Sequence, residues 1–305
     1  MFAIDEYQLL DFGAGRKLER FGPYVVDRPS PAAEGVRQRT PDAWERADAH
    51  FERSTGQRGR WTFHRQLAAT WPMQLGPMSL ALKFTDYGQI GLFPEQARNW
   101  DWIVEQVHAH QRPLKVLNLF AYTGGSTLAA AAAGAEVAHV DAAANVVSWA
   151  RRNATTSRME EAPIRWITED ALKFARRELK RRNHYDAVIL DPPAYGHGPG
   201  GEVWKLEEHL GELLEACLEL TRRDRAFLLL TCHSGELARA EGLLRAAIEL
   251  APDLRSSGQI AASDMLLPSA AGGRLPSGAM VRWVQTEAAG NVRNPTNVRP
   301  ARRDR

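Results

Sequence analysis

From Leu114 onward, short apolar segments alternate with longer amphipathic or small-residue segments. The short segments, typical of buried strands, read LKVLNLF, AEVAHVD, IRWITED, YDAVILD and AFLLLT. The segments that follow them, typical of helices, read STLAAAAAG, ANVVSWARRNATT, ALKFARRELKRR, KLEEHLGELLEACLEL and ELARAEGLLRAAIEL. This alternation predicts an α/β fold with a doubly wound, mostly parallel sheet that carries helices on both faces.

The C-terminal part of the chain departs from this alternation. The segments RSSGQIAASDMLL and GAMVRWVQ read as two strands around a loop rich in glycine and proline. They predict a seven-stranded sheet that closes with an antiparallel hairpin, in a domain covering residues 96–288. Residues 289–305 are basic, and we expect a disordered, solvated tail, with an RNA-contacting arm as the alternative.

Residues 1–95 have a different pattern, with short apolar stretches separated by Gly, Pro and Asp. The stretches YQLLDFG, YVVDRP, MSLALKF and IGLFPE indicate strands and turns, so we expect a smaller β-rich region that contacts substrate. One helix is predicted from Pro41 to Arg53, with Thr40 as its cap. The region holds 12 basic and 12 acidic residues, so any RNA-binding surface there must come from their arrangement.

Composition excludes several classes of protein. The 305 residues carry a net charge of only +2, so no global field indicates a nucleic-acid partner. The two cysteines form no disulfide framework, and metal-ligand spacing is absent. Because no apolar run reaches membrane-spanning length and no signal peptide is visible, we expect a cytoplasmic location.

The segment NLFAYTGGSTLAA, residues 118–130, predicts a ligand site between the first strand and its helix. Gly124 and Gly125 would let a ligand approach the backbone closely. The Ser126 hydroxyl and the free N–H groups at the helix start could hold a polar or anionic group. The spacing is not that of a G-x-G-x-x-G dinucleotide motif, and a purely structural turn is the alternative.

Acidic residues end the next two strands. Asp141, followed by Ala142, is placed to accept the hydroxyls of a ribose. Asp170 can accept an exocyclic amine of adenine, with the backbone N–H of Ala171 facing a ring nitrogen. Each acid could instead cap the following helix. Because ligands bind at the carboxyl ends of an open α/β sheet, their order along the chain favours a binding role.

The fourth strand runs into the sequence LDPPAYGHG. Pro192 and Pro193 predict a stiff loop with free carbonyl acceptors. Asp191 can accept a hydrogen bond from an amine. Tyr195 can stack on a planar base or serve as a packing aromatic.

The order of the motifs NLFAYTGG, VD, ED and LDPPAYG resembles that of the class I S-adenosylmethionine-dependent methyltransferases. Within that class it most resembles the bacterial family that includes the large-subunit rRNA 5-methylcytosine methyltransferases. The resemblance covers roughly residues 80–284, and IGLFPEQARNW is similar to the family segment that folds over the cofactor. The usual N-terminal RNA-binding module of that family is not evident.

The resemblance implies S-adenosyl-L-methionine as the cofactor and RNA, most of all rRNA, as the partner. It implies that Asp141 holds the ribose, that Asp170 holds the adenine side and that Asp191 orients the cofactor amine. Asn118 stands where related enzymes outside the family have an acidic residue. The remaining implied cofactor contacts are Phe93, Pro94, Gln96, Phe120, Tyr122, Thr123, Gly124, Gly125 and Ser126.

Methylation of cytosine at carbon 5 also needs a thiolate that adds to ring carbon 6. Cys232, in TCHSG, is the candidate nucleophile, whereas Cys217 has core spacing within its helix. The family cysteine directly precedes Ser-Gly, a position that His233 occupies here. A shift of one residue in an extended segment reverses the face, so Cys232 could be a buried thiol. His233 would then face the cleft as a base or a loop-bonding group.

Three functions follow, in order of preference. The first is methylation of a base in RNA. The second is a methyltransferase for a small molecule or a protein, favoured by the missing RNA module. The third is a non-catalytic, cofactor-binding RNA assembly factor.

Overall fold

The computed structural model describes residues 6–54, 58–233, 242 and 258–286. The predicted helix at residues 236–250, apart from residue 242, and the predicted basic tail at 289–305 lie outside these residues. Among the described residues, no helix is both long enough and apolar enough to cross a membrane.

The N-terminal region contains a five-stranded sheet and a separate hairpin. The five strands follow one another in chain order, and all pairs are antiparallel except the third with the fourth. The sheet strands are β1 (Tyr7–Gly13), β2 (Arg16–Phe21), β3 (Tyr24–Pro29), β4 (Ala49–Arg53) and β5 (Gly59–Phe63), and the hairpin strands are β6 (Trp71–Leu75) and β7 (Met78–Leu82).

The predicted helix from Pro41 to Arg53 is wrong beyond its first turn. The helix α1 spans Pro41–Trp44, and the chain then extends into β4. Ala49 and Phe51 are buried in alternation, and the Val25 backbone N–H donates to Asp48 Oδ2 at 2.8 Å. Pairing with two neighbouring strands therefore overrides the helical character of the segment. The stretch IGLFPE is also not a strand, because it ends in a 3₁₀ turn at Pro94–Gln96.

The central sheet has the predicted seven strands with an antiparallel C-terminal hairpin. Its strands are β8 (Lys115–Leu119), β9 (Glu136–Asp141), β10 (Ile164–Thr168), β11 (Ala187–Leu190), β14 (Phe227–Cys232), β15 (Gly258–Pro268) and β16 (Arg274–Gln285), with a two-stranded hairpin of β12 (Tyr195–His197) and β13 (Val203–Lys205) between β11 and β14. The spatial order is β10-β9-β8-β11-β14-β16-β15. The order reverses between β8 and β11, which creates a crevice at their carboxyl ends.

Helices of the described residues lie against the central sheet, at the predicted places in every case except residues 97–108, where no helix was predicted. They are α2 (Ala97–His108), α3 (Gly125–Ala132), α4 (Ala144–Thr156), α5 (Ala171–Lys180) and α6 (Leu206–Leu220). Neighbouring residues of β14 join different hydrophobic clusters, since Leu229 packs in one cluster and Leu228 and Leu230 pack in the other. The strand is buried on both faces, which explains its continuous apolar sequence.

The N-terminal region and the central sheet share one of these hydrophobic clusters. The β6–β7 hairpin packs on α4, where the Ala81 backbone N–H donates to Asn153 Oδ1 at 2.9 Å. The indole of Trp149 donates to the Ala81 carbonyl at 2.7 Å. These contacts hold the segment that follows β7 against the crevice.

Candidate active site

A cavity of about 690 Å³ lies at the carboxyl ends of the parallel strands. That volume falls in the usual range of small-molecule sites, about 300–1,000 Å³. The predicted site residues that line it are Phe93, Phe120, Tyr122, Asp141, Ala142, Asp170, Ala171, Asp191, Pro192, Pro193 and His233. A smaller cavity of about 40 Å³ shares part of this wall and is also lined by Gln96, Asn118, Thr123, Gly125 and Ser126.

The loop after β8 holds two residues in left-handed backbone conformations, Phe120 with φ 56° and Tyr122 with φ 48°. Such conformations cost about 1–3 kcal/mol each and occur most often at functional sites. The Tyr122 backbone N–H donates to Asp141 Oδ2 at 2.9 Å, and the Ala121 N–H donates to the Val140 carbonyl at 3.1 Å. These bonds tie the loop to the end of β9, which keeps both aromatic rings at the cavity wall.

The two glycines of this loop serve the protein's own packing. Gly124 caps α3 with φ 92°, a left-handed conformation that suits glycine. A Cβ at Gly125 would lie 2.5 Å from Trp100 Cζ2, so the missing side chain makes room for the indole of α2. The group that approaches the Gly125 backbone closely is therefore the Trp100 indole, where a ligand was predicted.

Asn118 and Ser126 are both occupied by hydrogen bonds within the protein. Asn118, only 2% exposed, donates through Nδ2 to Thr127 Oγ1 at 2.8 Å, and that hydroxyl lies 2.8 Å from His139 Nδ1. Burial lowers the pKa of His139 to about 3, so the ring is neutral. Ser126 Oγ accepts from the indole of Trp100 at 3.2 Å. These hydrogen bonds orient both side chains within the loop.

Asp141 bridges the ends of two neighbouring strands. Its Oδ2 accepts from the Tyr122 backbone N–H, and its Oδ1 accepts from the Ala143 N–H at 3.0 Å. Burial raises the pKa of this carboxyl above its ordinary value, although these two bonds act against the shift. A carboxylate offers about four lone-pair positions, so both oxygens can still accept ribose hydroxyls.

Asp170 caps α5, as the structural alternative to ligand binding predicts. Its Oδ1 accepts from the Lys173 backbone N–H at 2.9 Å. The same residue lines the cavity beside Ala171, so capping and ligand contact are compatible. The neighbouring Glu169 is held by an ion pair with Arg177.

The carboxylate of Asp191 receives hydrogen bonds from three side chains. Thr231 Oγ1 donates to Oδ1 at 2.5 Å, and Gln96 Nε2 donates to Oδ2 at 3.0 Å. His233 Nε2 lies 3.1 Å from Oδ1. Burial alone would raise the pKa of Asp191, but the His233 charge and these hydrogen bonds outweigh it and lower the pKa. Asp191 is therefore a fixed anion whose Oδ2 keeps acceptor capacity for a ligand amine.

His233 lies between two carboxylates at the cavity edge. Its Nε2 faces Asp191, and its Nδ1 lies 3.4 Å from Glu95 Oε1. Burial alone would lower the pKa of His233, but the two carboxylates outweigh it and hold the pKa well above its ordinary value. A protonated imidazole cannot accept a proton, so this geometry favours a role in holding Asp191 over a role as a general base.

A buried chain of hydrogen bonds supports Asp191 from behind. Arg282 donates to Asn99 Oδ1 at 2.7 Å, and Asn99 Nδ2 donates to Gln96 Oε1 at 2.7 Å. Gln96 then donates to Asp191. Because a guanidinium can only donate, the chain fixes the orientation of both amides. Residues from α2, β11, β14 and β16 thereby act together on one carboxylate.

The double-proline loop differs from prediction in its carbonyl groups. The indole of Trp204 donates to the Pro193 carbonyl at 2.7 Å, and the Leu206 N–H donates to the Ala194 carbonyl at 3.0 Å. These two carbonyls are therefore used within the protein. Tyr195 is 47% exposed and packs edge-on against His197, with ring centroids 5.1 Å apart. It lies beside the residues that line the cavity and is not one of them.

The structure places Cys232 in the core, against the prediction of a nucleophile. Its side chain is 1% exposed and belongs to the hydrophobic cluster of Leu228 and Leu230. Alternation along β14 directs Thr231 and the following His233 toward Asp191 and directs Cys232 to the opposite face. Pro94 also lies outside the main cavity and lines a separate one of about 380 Å³ together with Glu95.

Several residues of the site gave no usable sequence signal. Trp204, from the unpredicted hairpin β12–β13, packs on Phe120 with ring centroids 4.8 Å apart. Glu95 is distant in sequence from the histidine that it contacts. The adjacent Glu169 in TED could have been suspected from its position. Other unpredicted cavity residues are Arg53, Gln89, Val140, Ala143, Ala194 and His197.

The polar and aromatic groups that line the cavity fit a nucleoside-containing cofactor. The carboxylates of Asp141, at the end of β9, and Asp170, at the start of α5, can accept hydrogen bonds from hydroxyl and amine groups. The aromatic rings of Phe93 and Phe120 line the same wall. The described residues hold no group of three or more His, Cys, Asp or Glu side chains arranged to bind a metal ion.

Comparison with known proteins is consistent with this geometry. The family model for S-adenosylmethionine-dependent methyltransferases matches residues 55–234. The crystal structure of the SAM-dependent methyltransferase from Agrobacterium tumefaciens is similar, with a TM-score of 0.86 and 39% identity. That similarity covers 92% of this chain and 90% of the Agrobacterium chain. The fold is therefore the class I methyltransferase fold, and S-adenosylmethionine is the cofactor.

Two curated relatives are ribosomal RNA methyltransferases. Ribosomal RNA large subunit methyltransferase K/L of Hahella chejuensis is 31% identical over 141 residues, which are 46% of this chain and 18% of the relative. Ribosomal RNA large subunit methyltransferase I of Tolumonas auensis is 30% identical over 131 residues, 43% of this chain and 28% of the relative. The matched segment thus spans less than a third of either relative. On the family match and the Agrobacterium similarity, the chain belongs to the S-adenosylmethionine-dependent methyltransferase family.

Proposed function

We propose that this methyltransferase modifies a base in RNA, with ribosomal RNA as the substrate class. The observation that carries the proposal is the similarity to the large-subunit methyltransferases K/L and I. Both relatives are named for activity on ribosomal RNA, and the residues matched by the family model, 55–234, include nearly all of the cavity wall. An rRNA substrate also supports a cytoplasmic location.

The arrangement of the crevice supports a planar acceptor. Bound S-adenosylmethionine supplies a methyl group on an electrophilic sulfonium centre. Transfer then requires a nucleophile held in line, about 3 Å from that carbon, so positioning is the main task of the protein. Pro192 and Pro193 form a stiff wall of the cavity, and Asp191 offers a fixed acceptor beside it. The exposed ring of Tyr195 lies beside this space, where it is available to stack on a base of the substrate.

We further propose how the parts of the chain share this work. Residues 96–288 form the catalytic domain, and residues 1–95 contribute to substrate binding. Asp141 and Asp170 hold the ribose and the adenine side of the cofactor. His233 positions Asp191, and Cys232 packs in the core instead of acting as a nucleophile.

The test is transfer of a labelled methyl group from S-adenosylmethionine to RNA. The substrate is total RNA from a strain that lacks the gene, with RNA from the parent strain as a control. We expect label in RNA from the deletion strain and much less label in parental RNA, because the parental sites are already methylated. Nucleoside analysis of the product then identifies the base. Label only in protein or in small metabolites would contradict the proposal and favour a different acceptor.

A further inference from the structure

The cavity wall contains an arginine that the site does not otherwise use. Three cavity-lining side chains can carry positive charge, namely Arg53, His197 and His233. His233 is held between Asp191 and Glu95. In the part of the chain that the structure describes, no carboxylate lies within ion-pair distance of Arg53. A guanidinium at a cavity mouth with no anionic partner is suited to an incoming anion.

Other cations near the cavity are already neutralised within the protein. Lys173 pairs with Glu202 at 2.9 Å, and Lys205 pairs with Glu208 at 2.8 Å. Arg177 pairs with Glu169. Arg53 therefore differs from these neighbours in having its charge available.

The position of Arg53 is fixed by the N-terminal sheet. Arg53 is the last residue of β4 and pairs with Gly59 of β5, which places Arg58 at the same end of the hairpin. The Gly59 N–H donates to the Asp86 carbonyl at 2.8 Å, and the Trp61 indole donates to the Thr85 carbonyl at 2.8 Å. These hydrogen bonds hold the start of β5 against the turn at residues 85–88, which leads into the cavity wall.

That turn carries an exposed aromatic ring beside a second arginine. Tyr87 is 47% exposed, and the Arg58 guanidinium lies 5.8 Å from the centre of its ring. Two residues later, Gln89 lines the cavity. Glu52 lies opposite Arg60 in the strand register, and strand alternation puts it on the opposite face from Arg53. The Asp86 carboxylate is near Arg58. An exposed ring beside one arginine, with a second arginine at the end of the adjoining strand, is a combination that can bind a nucleic-acid strand through stacking and phosphate contacts.

We propose that Arg53, Arg58 and Tyr87, here called the rim surface, bind the single-stranded RNA next to the target base. Arg53 holds a phosphate at the cavity mouth, and Tyr87 stacks on a neighbouring base. The identity of the partner as RNA rests on the function proposed above. The N-terminal region then contributes to substrate binding through three placed side chains, although its basic and acidic residues balance.

The test measures binding of a fluorescent single-stranded RNA to the full chain by anisotropy at several salt concentrations. The variants are Arg53→Ala, Arg58→Ala and Tyr87→Ala. Arg223→Ala is the matched control, since Arg223 is also exposed but lines a cavity beside the opposite ends of the parallel strands. Binding of S-adenosylhomocysteine and the thermal unfolding midpoint are measured for each variant.

The salt dependence separates charge from stacking. We expect Arg53→Ala to weaken RNA binding and to lower the slope of log affinity against log salt by about 0.7, the value for one phosphate contact on a single strand. Arg53→Lys should keep the slope. Tyr87→Ala should weaken binding by about 5- to 150-fold with an unchanged slope, because one stacked base is lost. S-adenosylhomocysteine affinity should stay at the wild-type value in all of them.

Two results would overturn the rim surface. One is an Arg53→Ala variant with the same RNA affinity and slope as Arg223→Ala. The other is a loss of S-adenosylhomocysteine affinity in Arg53→Ala, which would assign the arginine to the cofactor. Either result leaves the proposed function standing if the wild-type chain still labels RNA. Failure of the wild-type chain to label RNA refutes the proposed function, whatever the rim variants show.

Discussion

His233 Nε2 lies 3.1 Å from Asp191 Oδ1, and this contact joins the end of β14 to the double-proline loop after β11. His233 occupies the position before Ser-Gly at which the family resemblance predicted a cysteine. The pair therefore connects an aspartate that three side chains hold in place with the position at which the expected nucleophile is missing. The Asp191 carboxylate therefore depends on its neighbours for its orientation and its charge.

Replacing His233 with Gln should destabilise the protein in a defined pH window. The pKa of Asp191 is lowered in the folded protein. Its contribution to folding stability is therefore fully present above its unfolded-state pKa of about 3.9 and is lost as pH falls through the folded-state pKa. The pKa of His233 is raised in the folded protein. Its contribution to folding stability is therefore fully present below its unfolded-state pKa of about 6.5 and is lost as pH rises through the folded-state pKa. The stability difference should thus be largest between about pH 4 and 6.5.

Urea unfolding of wild type and variant at a series of pH values measures this difference. We expect about 1.5–3 kcal/mol at its maximum, the usual contribution of a hydrogen bond to a charged group. His197→Gln is the control, because His197 lines the same cavity and contacts Tyr195. A difference that does not change with pH would argue against a charged pair.

Asp141→Asn should weaken cofactor binding. The carboxylate accepts two backbone N–H bonds, and an amide nitrogen cannot replace one of these acceptors. We expect the affinity for S-adenosylhomocysteine to fall about 10- to 100-fold, measured by calorimetry. Glu136→Gln, at the other end of the same strand, should leave the affinity unchanged. Equal affinities for Asp141→Asn and wild type would remove Asp141 from the cofactor site.

Gly125→Ala should destabilise the fold. The new Cβ would lie 2.5 Å from Trp100 Cζ2, so the indole that donates to Ser126 must shift. Overpacking of this kind costs about 1–3 kcal/mol. Gly211→Ala is the control, since Gly211 lies within α6 with no atom within 4 Å of its added Cβ. The free energy of unfolding of Gly211→Ala should rise by up to about 1 kcal/mol from helix propensity. A Gly125→Ala variant as stable as Gly211→Ala would contradict the packing role of Gly125.

Both cysteines should be unreactive in the folded enzyme. Cys217 and Cys232 are buried, and burial raises the pKa of the Cys217 thiol to about 12. A thiolate is the reactive form, so a disulfide-exchange reagent should modify both residues only after unfolding. The measurement is the absorbance of the released thiol in native and denatured samples. A thiol that reacts rapidly in the native enzyme and abolishes activity would restore Cys232 as a nucleophile.

The sequence predicted the central sheet because strands buried on both faces leave continuous apolar runs, as in AVIL of β11 and FLLLTC of β14. It did not predict β4, whose residues have mixed character and become a strand through pairing with β3 and β5. The acids at the ends of the strands were found from their positions alone. The contacts of His233 with Glu95 and of Gln96 with Asp191 join residues far apart in sequence, and no local pattern encodes them.

The most direct test of the account is methyl transfer to RNA by Asp191→Ala and Cys232→Ala beside the wild-type chain. Both variants should be shown to be folded, because loss of Cys232 from the core costs about 1 kcal/mol. We predict that the wild-type chain and Cys232→Ala label RNA at similar rates and that Asp191→Ala does not. Label lost in Cys232→Ala and retained in Asp191→Ala would contradict the account.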